Sequence, residues 1–75
     1  MRVTALYFAT LRERRGTGSE GVDLPVGTTA SGAFALIFPG LSLTVAYAVN
    51  EATVGSETVL VEGDEVAFLP PLGGG

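Results

Sequence analysis

The chain opens and closes on segments in which residues alternate between two faces. Arg2 to Phe8 is rich in β-forming residues and predicts a first strand. Val66-Ala67-Phe68-Leu69 predicts the last one, closed by Pro70-Pro71, which have no N–H to give to a ladder. Between them the spacing changes. Thr10-Leu11-Arg12-Glu13 has the form of a capping box, with the Thr10 hydroxyl accepting from the Glu13 N–H and Glu13 reaching back. It predicts a short helix with Arg14 and Arg15 in its last turn, where cations suit the helix dipole, and Gly16 as the stop.

Residues 16–21 predict a loop. Val22 to Val26 predicts a short strand, which Pro25 confines to an edge or a strand end. Thr28, Thr29 or Ser31 caps a second helix running to about Phe38. Ala30, Phe34, Ile37 and Leu41 keep one face at helical spacing. Gly32 weakens this helix by about 1 kcal/mol relative to alanine, and Pro39-Gly40 ends it. Thr44 to Val49 predicts a strand with Val45, Tyr47 and Val49 on one side. Asn50-Glu51 predicts a turn and Ala52 to Val54 a very short strand. Glu57 to Val61 reads as turn or short strand, and Glu62-Gly63-Asp64-Glu65 as a tight polar turn.

The order is strand, helix, strand, helix, then strands. Placing the first strand beside the last gives an α+β domain over residues 1–72, a mixed sheet with a helix across one face, in β-grasp topology. Residues 73–75 form a flexible glycine tail in this reading. Val3, Ala5 and Tyr7 share one face of the first strand, and Val66 and Phe68 one face of the last. The opposite set, Leu6, Phe8, Ala67 and Leu69, falls on the open side. An open sheet face is ordinarily polar, and this one is apolar. It is either a docking surface or is covered by loops or by the first helix.

Composition narrows the chemistry. The 75 residues suffice for one small domain, which buries only about 60% of its unfolded surface and leaves no deep cavity. Cysteine, histidine and lysine are all absent. Thiol catalysis, zinc-thiolate sites, imidazole bases, Schiff bases and side-chain isopeptide acceptors go with them, and no metal site is expected. Four arginines (Arg2, Arg12, Arg14 and Arg15) face eight acids, for a net charge of −4. A nucleic-acid partner is not expected, because a basic face is missing. An acidic body suits a basic protein partner. Hydrophobic residues make up 47% of the chain and mean hydropathy is +0.45. The apolar runs stay far short of the roughly 20 residues that span a bilayer. The first residues lack signal-peptide anatomy, so a soluble, cytoplasmic protein away from membranes is expected.

That leaves the end of the chain. Gly73-Gly74-Gly75 reads either as a frayed terminus or as a reactive tail. Glycine lacks Cβ, so its backbone can thread a narrow tunnel. A terminal glycine also leaves its α-carboxylate unhindered. Adenylation makes that carboxylate an electrophile, and sulfide transfer then makes a thiocarboxylate. Pro70-Pro71 stiffens the root of the tail and projects it from the sheet.

Residues Leu6-Tyr7-Phe8-Ala9-Thr10-Leu11-Arg12-Glu13, Ala48-Val49-Asn50, Gly63 to Pro71 and terminal Gly74-Gly75, in that order, resemble the MoaD-type small subunits of molybdopterin synthase. The resemblance implies a ubiquitin-like β-grasp fold and a role as sulfur carrier for the dithiolene of molybdopterin, in molybdenum cofactor biosynthesis. It implies no cofactor bound to this chain. A ubiquitin-activating-type enzyme would use ATP to adenylate Gly75, and a sulfur donor protein would then supply the sulfur. The tail, with Gly74 and Gly73 in the tunnel, would enter a large subunit that holds the catalytic side chains of a heterotetramer. This chain would itself be a non-catalytic donor subunit. Phe8 and Leu69 match partner-facing positions of such proteins, and Leu6, Ala67 and Arg12 are further candidates. Gly73, where small residues vary, and a compact middle around Ser31 to Leu43 depart from the pattern.

Within the same class, carriers for thiamine, tRNA thiolation or cysteine synthesis share the fold and the diglycine. A ubiquitin-like modifier of lysines is the alternative from another class, and a plain interaction module with an inert tail is a third. Glu62, Asp64 and Glu65 are candidates for meeting a basic partner, or else form a solvated turn.

Overall fold

The computed structural model describes residues 1–71. Five strands and two helices follow one another as β1 (Arg2–Tyr7), α1 (Ala9–Arg15), β2 (Ser19–Asp23), α2 (Ala30–Ile37), β3 (Ala46–Val49), β4 (Ala52–Val54) and β5 (Glu65–Leu69). The strands form one sheet in the order β2-β1-β5-β3-β4. β1 lies parallel to β5, with Ala5 beside Val66 and Tyr7 beside Phe68. The other pairings are antiparallel. This is a mixed β-grasp sheet, with the N-terminal and C-terminal strands side by side at its middle.

Alternation along β1 and β5 decides which face is dry. Val3, Ala5, Tyr7, Val66 and Phe68 are all 1% exposed or less. Tyr7, Phe68 and Tyr47 form a row across β1, β5 and β3, since Phe68 partners both tyrosines. α2 closes over this row. Phe34 meets Phe68 edge-on at 5.4 Å between ring centres, and Phe38 meets Tyr7 at 5.4 Å. Offset and edge-on aromatic pairs of this kind add about 0.5–1.5 kcal/mol each beyond their burial. Ala30, Ala33, Phe34 and Phe38 are the buried positions of this segment. Ile37 and Leu41 are only partly buried against the same core. Thr29 caps α2 by accepting the Gly32 N–H at 3.0 Å. Gly32, which weakens the helix on propensity, suits this cap, because a Cβ there would stand 3.1 Å from Thr29 Oγ1.

α1 begins differently from the capping-box expectation. Phe8, not Thr10, is the N-cap, and no side chain caps the helix. The chain turns directly out of β1 through Ala9 at φ 51°, a left-handed conformation that costs a non-glycine residue about 1–2 kcal/mol. Thr10 is thereby already inside the helix. The C-terminal expectation holds: Gly16, at φ 75°, donates its N–H to Arg12 O. Leu11 is fully buried in the core. Arg15 lies over the rings of Tyr7 and Phe38 at 5.9 and 6.0 Å. Both helices therefore pack on the same face of the sheet, and neither covers the other face.

β2 also starts earlier than expected. Ser19, Glu20 and Gly21 pair with Leu6, Ala5 and Thr4, and Pro25 stands beyond the strand. Gly21 breaks the alternation signal and leaves room for Arg2: a Cβ there would lie 2.8 Å from Arg2 Nη2, whose guanidinium reaches Asp23 at 3.0 Å. β3 is shorter than expected and begins at Ala46. The two-residue turn to β4 has Asn50 and Glu51 at φ 51° and 71°, as tight hairpins require. Val59 makes an isolated bridge to Thr29.

Asp64 is a structural residue and not a solvated or partner-facing acid. It is 9% exposed. Its carboxylate accepts the Asn50 Nδ2–H at 2.9 Å and the Val61 N–H at 2.8 Å. Asn50 Oδ1 accepts the Glu65 N–H at 3.0 Å. This knot ties the β3–β4 turn to the start of β5. Glu62 accepts the Arg2 N–H at 2.8 Å, so it too is engaged within the chain.

Two outcomes follow from these contacts. Asp64→Ala leaves the part-buried Val61 N–H and Asn50 amide without their acceptor, and is expected to lower stability by about 1–2 kcal/mol in urea unfolding. The second concerns pH. Tyr7 OH donates to Glu20 Oε1 at 2.6 Å, and Arg15 Nε donates to the same oxygen at 2.7 Å. The Tyr7 hydrogen bond, with Arg15, holds the Glu20 carboxyl below its ordinary value, against a smaller opposing effect of burial. Burial, with Glu20, pushes the Tyr7 phenol well above its ordinary 10.0. The Glu20 contribution is thus present above pH 4.5, the ordinary carboxyl value, and is lost as pH falls below it. The Tyr7 contribution is full below pH 10.0 and declines above that, where the unfolded chain ionises. Tyr7→Phe should cost about 1–2 kcal/mol at neutral pH and flatten both limbs of a denaturation-versus-pH curve.

Candidate functional site

The uncovered face of the sheet carries an apolar row. Leu6, Ala67 and Ala48 lie side by side across β1, β5 and β3. Leu69 lies beside Ala46 in the next row. Phe8 follows Tyr7, the partner of Phe68, and so stands level with Leu69. Phe8 is 45% exposed and Leu69 37%. Leu6 is half-buried. Ala67 is 8% exposed and forms the floor between its neighbours rather than a projecting contact. These exposures follow from the strand period: Tyr7 and Phe68 point into the core, so Phe8 and Leu69 must point out.

Because β1 and β5 are parallel, their C-terminal ends lie together at one end of the sheet. Phe8 and Leu69 flank the place where Pro70 and Pro71 leave it. A shallow hollow of about 450 Å³, lined by Thr44, Val45, Ala46, Leu69, Pro70 and Pro71, adjoins that exit. Thr44, Ala46 and Ala48 were not among the residues singled out from the sequence. The signal was present, since placing Val45, Tyr47 and Val49 on one side puts these three on the other. Only the position of β3 next to β5 joins them to Leu69 and Ala67.

Arg12 is exposed and belongs to α1, on the helix side of the sheet. Its guanidinium lies against Gly18, where a Cβ would stand 3.5 Å from Arg12 Nε. It makes no ion pair among the described residues. Gly73, Gly74 and Gly75 lie outside the described residues. No helix among the described residues is long and apolar enough to cross a membrane.

An apolar face next to a chain exit does not do covalent chemistry. It can hold a partner and set where the following residues go. No set of described side chains around it has the nucleophile and base that group transfer would need.

Comparison with known proteins adds to this geometry. The model of the ThiS family matches residues 5–75. A curated relative from Drosophila yakuba, named molybdopterin synthase sulfur carrier subunit, is 40% identical, covering all of this chain and 92% of the relative. A relative of the same name from Chlamydomonas reinhardtii is 35% identical and covers 100% of both. A solved structure from Pyrococcus furiosus, provisionally named as subunit 1 of a molybdopterin converting factor, superposes with a TM-score of 0.80. It is 27% identical over 96% of this chain and 99% of that one. Subunits 1 and 2 of the Helicobacter pylori 26695 factor have been solved as a complex, which matches at a TM-score of 0.61, 20% identity and 100% of both chains. At that identity the likeness speaks for the fold.

Because Phe8 and Leu69 face outward, charge there should be tolerated. Phe8→Asp and Leu69→Asp are each expected to change unfolding free energy by no more than about 1 kcal/mol. Phe68→Ala, one residue away and pointing inward, should cost about 3–5 kcal/mol. Thermal or urea unfolding of the three variants checks this contrast.

Proposed function

The chain belongs to the ThiS family over residues 5–75, and from that premise we propose that it is the sulfur-carrier subunit of a molybdopterin synthase. The full-length similarity to relatives named as such subunits is the observation that carries this reading. The geometry agrees with it. A carrier needs a docking face beside an exposed tail, and Phe8 and Leu69 flank the exit of the tail.

The reactive group in this reading is the Gly75 carboxylate. A carboxylate oxygen attacks the α-phosphorus of ATP on an adenylating partner, releasing pyrophosphate and leaving an acyl-adenylate. Sulfide supplied by a donor protein attacks the acyl carbon and expels AMP. The product is a Gly75 thiocarboxylate. Gly74 and Gly73 let the tail pass through a channel too narrow for side chains. The large synthase subunit receives it, with Leu6, Phe8 and Leu69 held against its surface and Ala67 beneath them. The structure of two subunits together in Helicobacter pylori supports a large-subunit partner. The adenylating enzyme, the sulfur donor and a cytoplasmic setting complete the proposal.

The test uses the purified chain with an adenylating enzyme, ATP and a sulfur source, followed by intact-mass analysis. Exchange of one oxygen for sulfur at Gly75 is expected. Deleting Gly75, or adding one residue after it, should abolish that exchange while leaving large-subunit binding largely intact. Support of molybdopterin synthesis by an extended, untrimmed chain would sink the proposal.

A further inference from the structure

Alternation along β5 puts Glu65 on the same face as Ala67 and Leu69, because Val66 and Phe68 between them point into the core. In register Glu65 stands beside Thr4 of β1, and Thr4 beside Gly21 of β2. The Glu65 backbone is closed: its N–H donates to Asn50 Oδ1 at 3.0 Å, and its carbonyl accepts the Asn50 N–H at 2.8 Å. The carboxylate is not. It makes no hydrogen bond or ion pair among the described residues, and the residue is half-buried.

The acids at the start of β5 thus have separate fates. Asp64 is held by Asn50 and Val61. Glu62 accepts the Arg2 N–H. Of the three, Glu65 is the one that shares a strand face with Ala67 and Leu69 and has its carboxylate unengaged. The cations of the chain do not answer it. Arg12, Arg14 and Arg15 belong to α1, on the helix side of the sheet. Arg2 is on the open side, but its guanidinium is held by Asp23 at 3.0 Å. That pair is neutral, so Glu65 brings a net negative charge to the row next to Leu6 and Ala67.

The position matters because of the size of a protein contact. At the rise of a strand, Glu65 lies about 7 Å from Ala67 and about 13 Å from Leu69. A stable partner covers about 800 Å² on each side, a patch about 28 Å across. A partner seated on the apolar row therefore reaches Glu65 as well. Taking water from a carboxylate without supplying a partner is strongly unfavourable. A surface that is apolar or acidic at this point is rejected, and one that places a cation there is accepted.

Resting on the carrier reading for the identity of the partner, we propose that Glu65 pairs with an arginine or lysine side chain of the large subunit, and that this pair sets which way round the chain sits. The apolar row seats the end of the sheet from which the tail leaves. The ion pair fixes the other end of the row. Two contacts about 13 Å apart along β5 remove the freedom to rotate on the face, so the tail exit has one direction.

Binding of the purified large subunit to the full chain, measured by calorimetry at low and at high salt, tests this. Glu65→Gln keeps the shape of the side chain and removes its charge. It is expected to weaken binding about tenfold at low salt and to flatten the salt dependence. Glu65→Lys should weaken binding about a hundredfold. Glu13→Gln makes the same change in net charge from an exposed position on α1, and should leave affinity and salt dependence as they were. All three variants should unfold at the temperature of the unaltered chain. Unchanged affinity and salt dependence for Glu65→Gln would overturn the pairing. So would an equal loss for Glu13→Gln, which would assign the effect to the charge of the whole chain. Either result, with the unaltered chain still bound, overturns this inference alone. Absence of binding by the unaltered chain would overturn the carrier reading and this inference with it.

Discussion

Phe68 is the residue on which the arrangement turns. It stands between Tyr7 and Tyr47 across three strands and beneath Phe34 of α2, and it is fully buried. Filling that place fixes the register of β5 against both neighbours, because a slip of one residue would drive Ala67 or Leu69 into the aromatic row and turn Phe68 to water. With the register fixed, Leu69 has to face outward. Pro70 then follows at the end of the ladder, since it has no N–H to extend it. The outward position of Leu69 and the place where Pro70 leaves the ladder are thus consequences of core packing one and two residues upstream.

The same inward choice at Tyr7 organises the other half. Tyr7 meets Phe68 and Phe38 with its ring and Glu20 with its hydroxyl. Glu20 takes Arg15 as well, and Arg15 lies over Tyr7 and Phe38. This cluster draws the end of α1 onto the helix side of the sheet. Had α1 packed on the other side, it would have covered Leu6 and Phe8. The apolar face therefore stays open because an arginine on the short helix has its partners elsewhere. Ala9, at positive φ, is the joint that allows the reversal straight after Phe8.

Much of this was legible in the sequence because period-2 alternation and terminal strands are strong signals. The element order, the β1–β5 neighbourhood, the division of faces and the Thr29 cap among its three candidates could all be read from residue patterns. What escaped depended on partners distant in the chain. β2 hid behind Gly21, whose missing side chain makes way for Arg2, a residue of another strand. The Thr10–Glu13 capping box was a correct local motif defeated by Ala9, since the helix starts two residues before the motif would allow. Asp64 looked like a surface acid in a polar turn. Its burial depends on Asn50 arriving from the β3–β4 hairpin, which no local window contains. Ala46 and Ala48 were missed on the open face because only strand order, not strand pattern, places them there.

The absence of lysine, histidine and cysteine takes on a positive meaning once the open face and the carrier reading are considered together. The open face, built from Leu6, Phe8, Ala67 and Leu69, asks nothing of a reactive side chain. In the carrier reading, shape and apolar area would do the holding at this face. Even the reacting group is a main-chain carboxylate in that reading. A small domain can support this because main-chain groups need no pocket to be presented, only a strand that ends at the right place. The open face is positioned by the buried row of Tyr7, Phe68 and Tyr47.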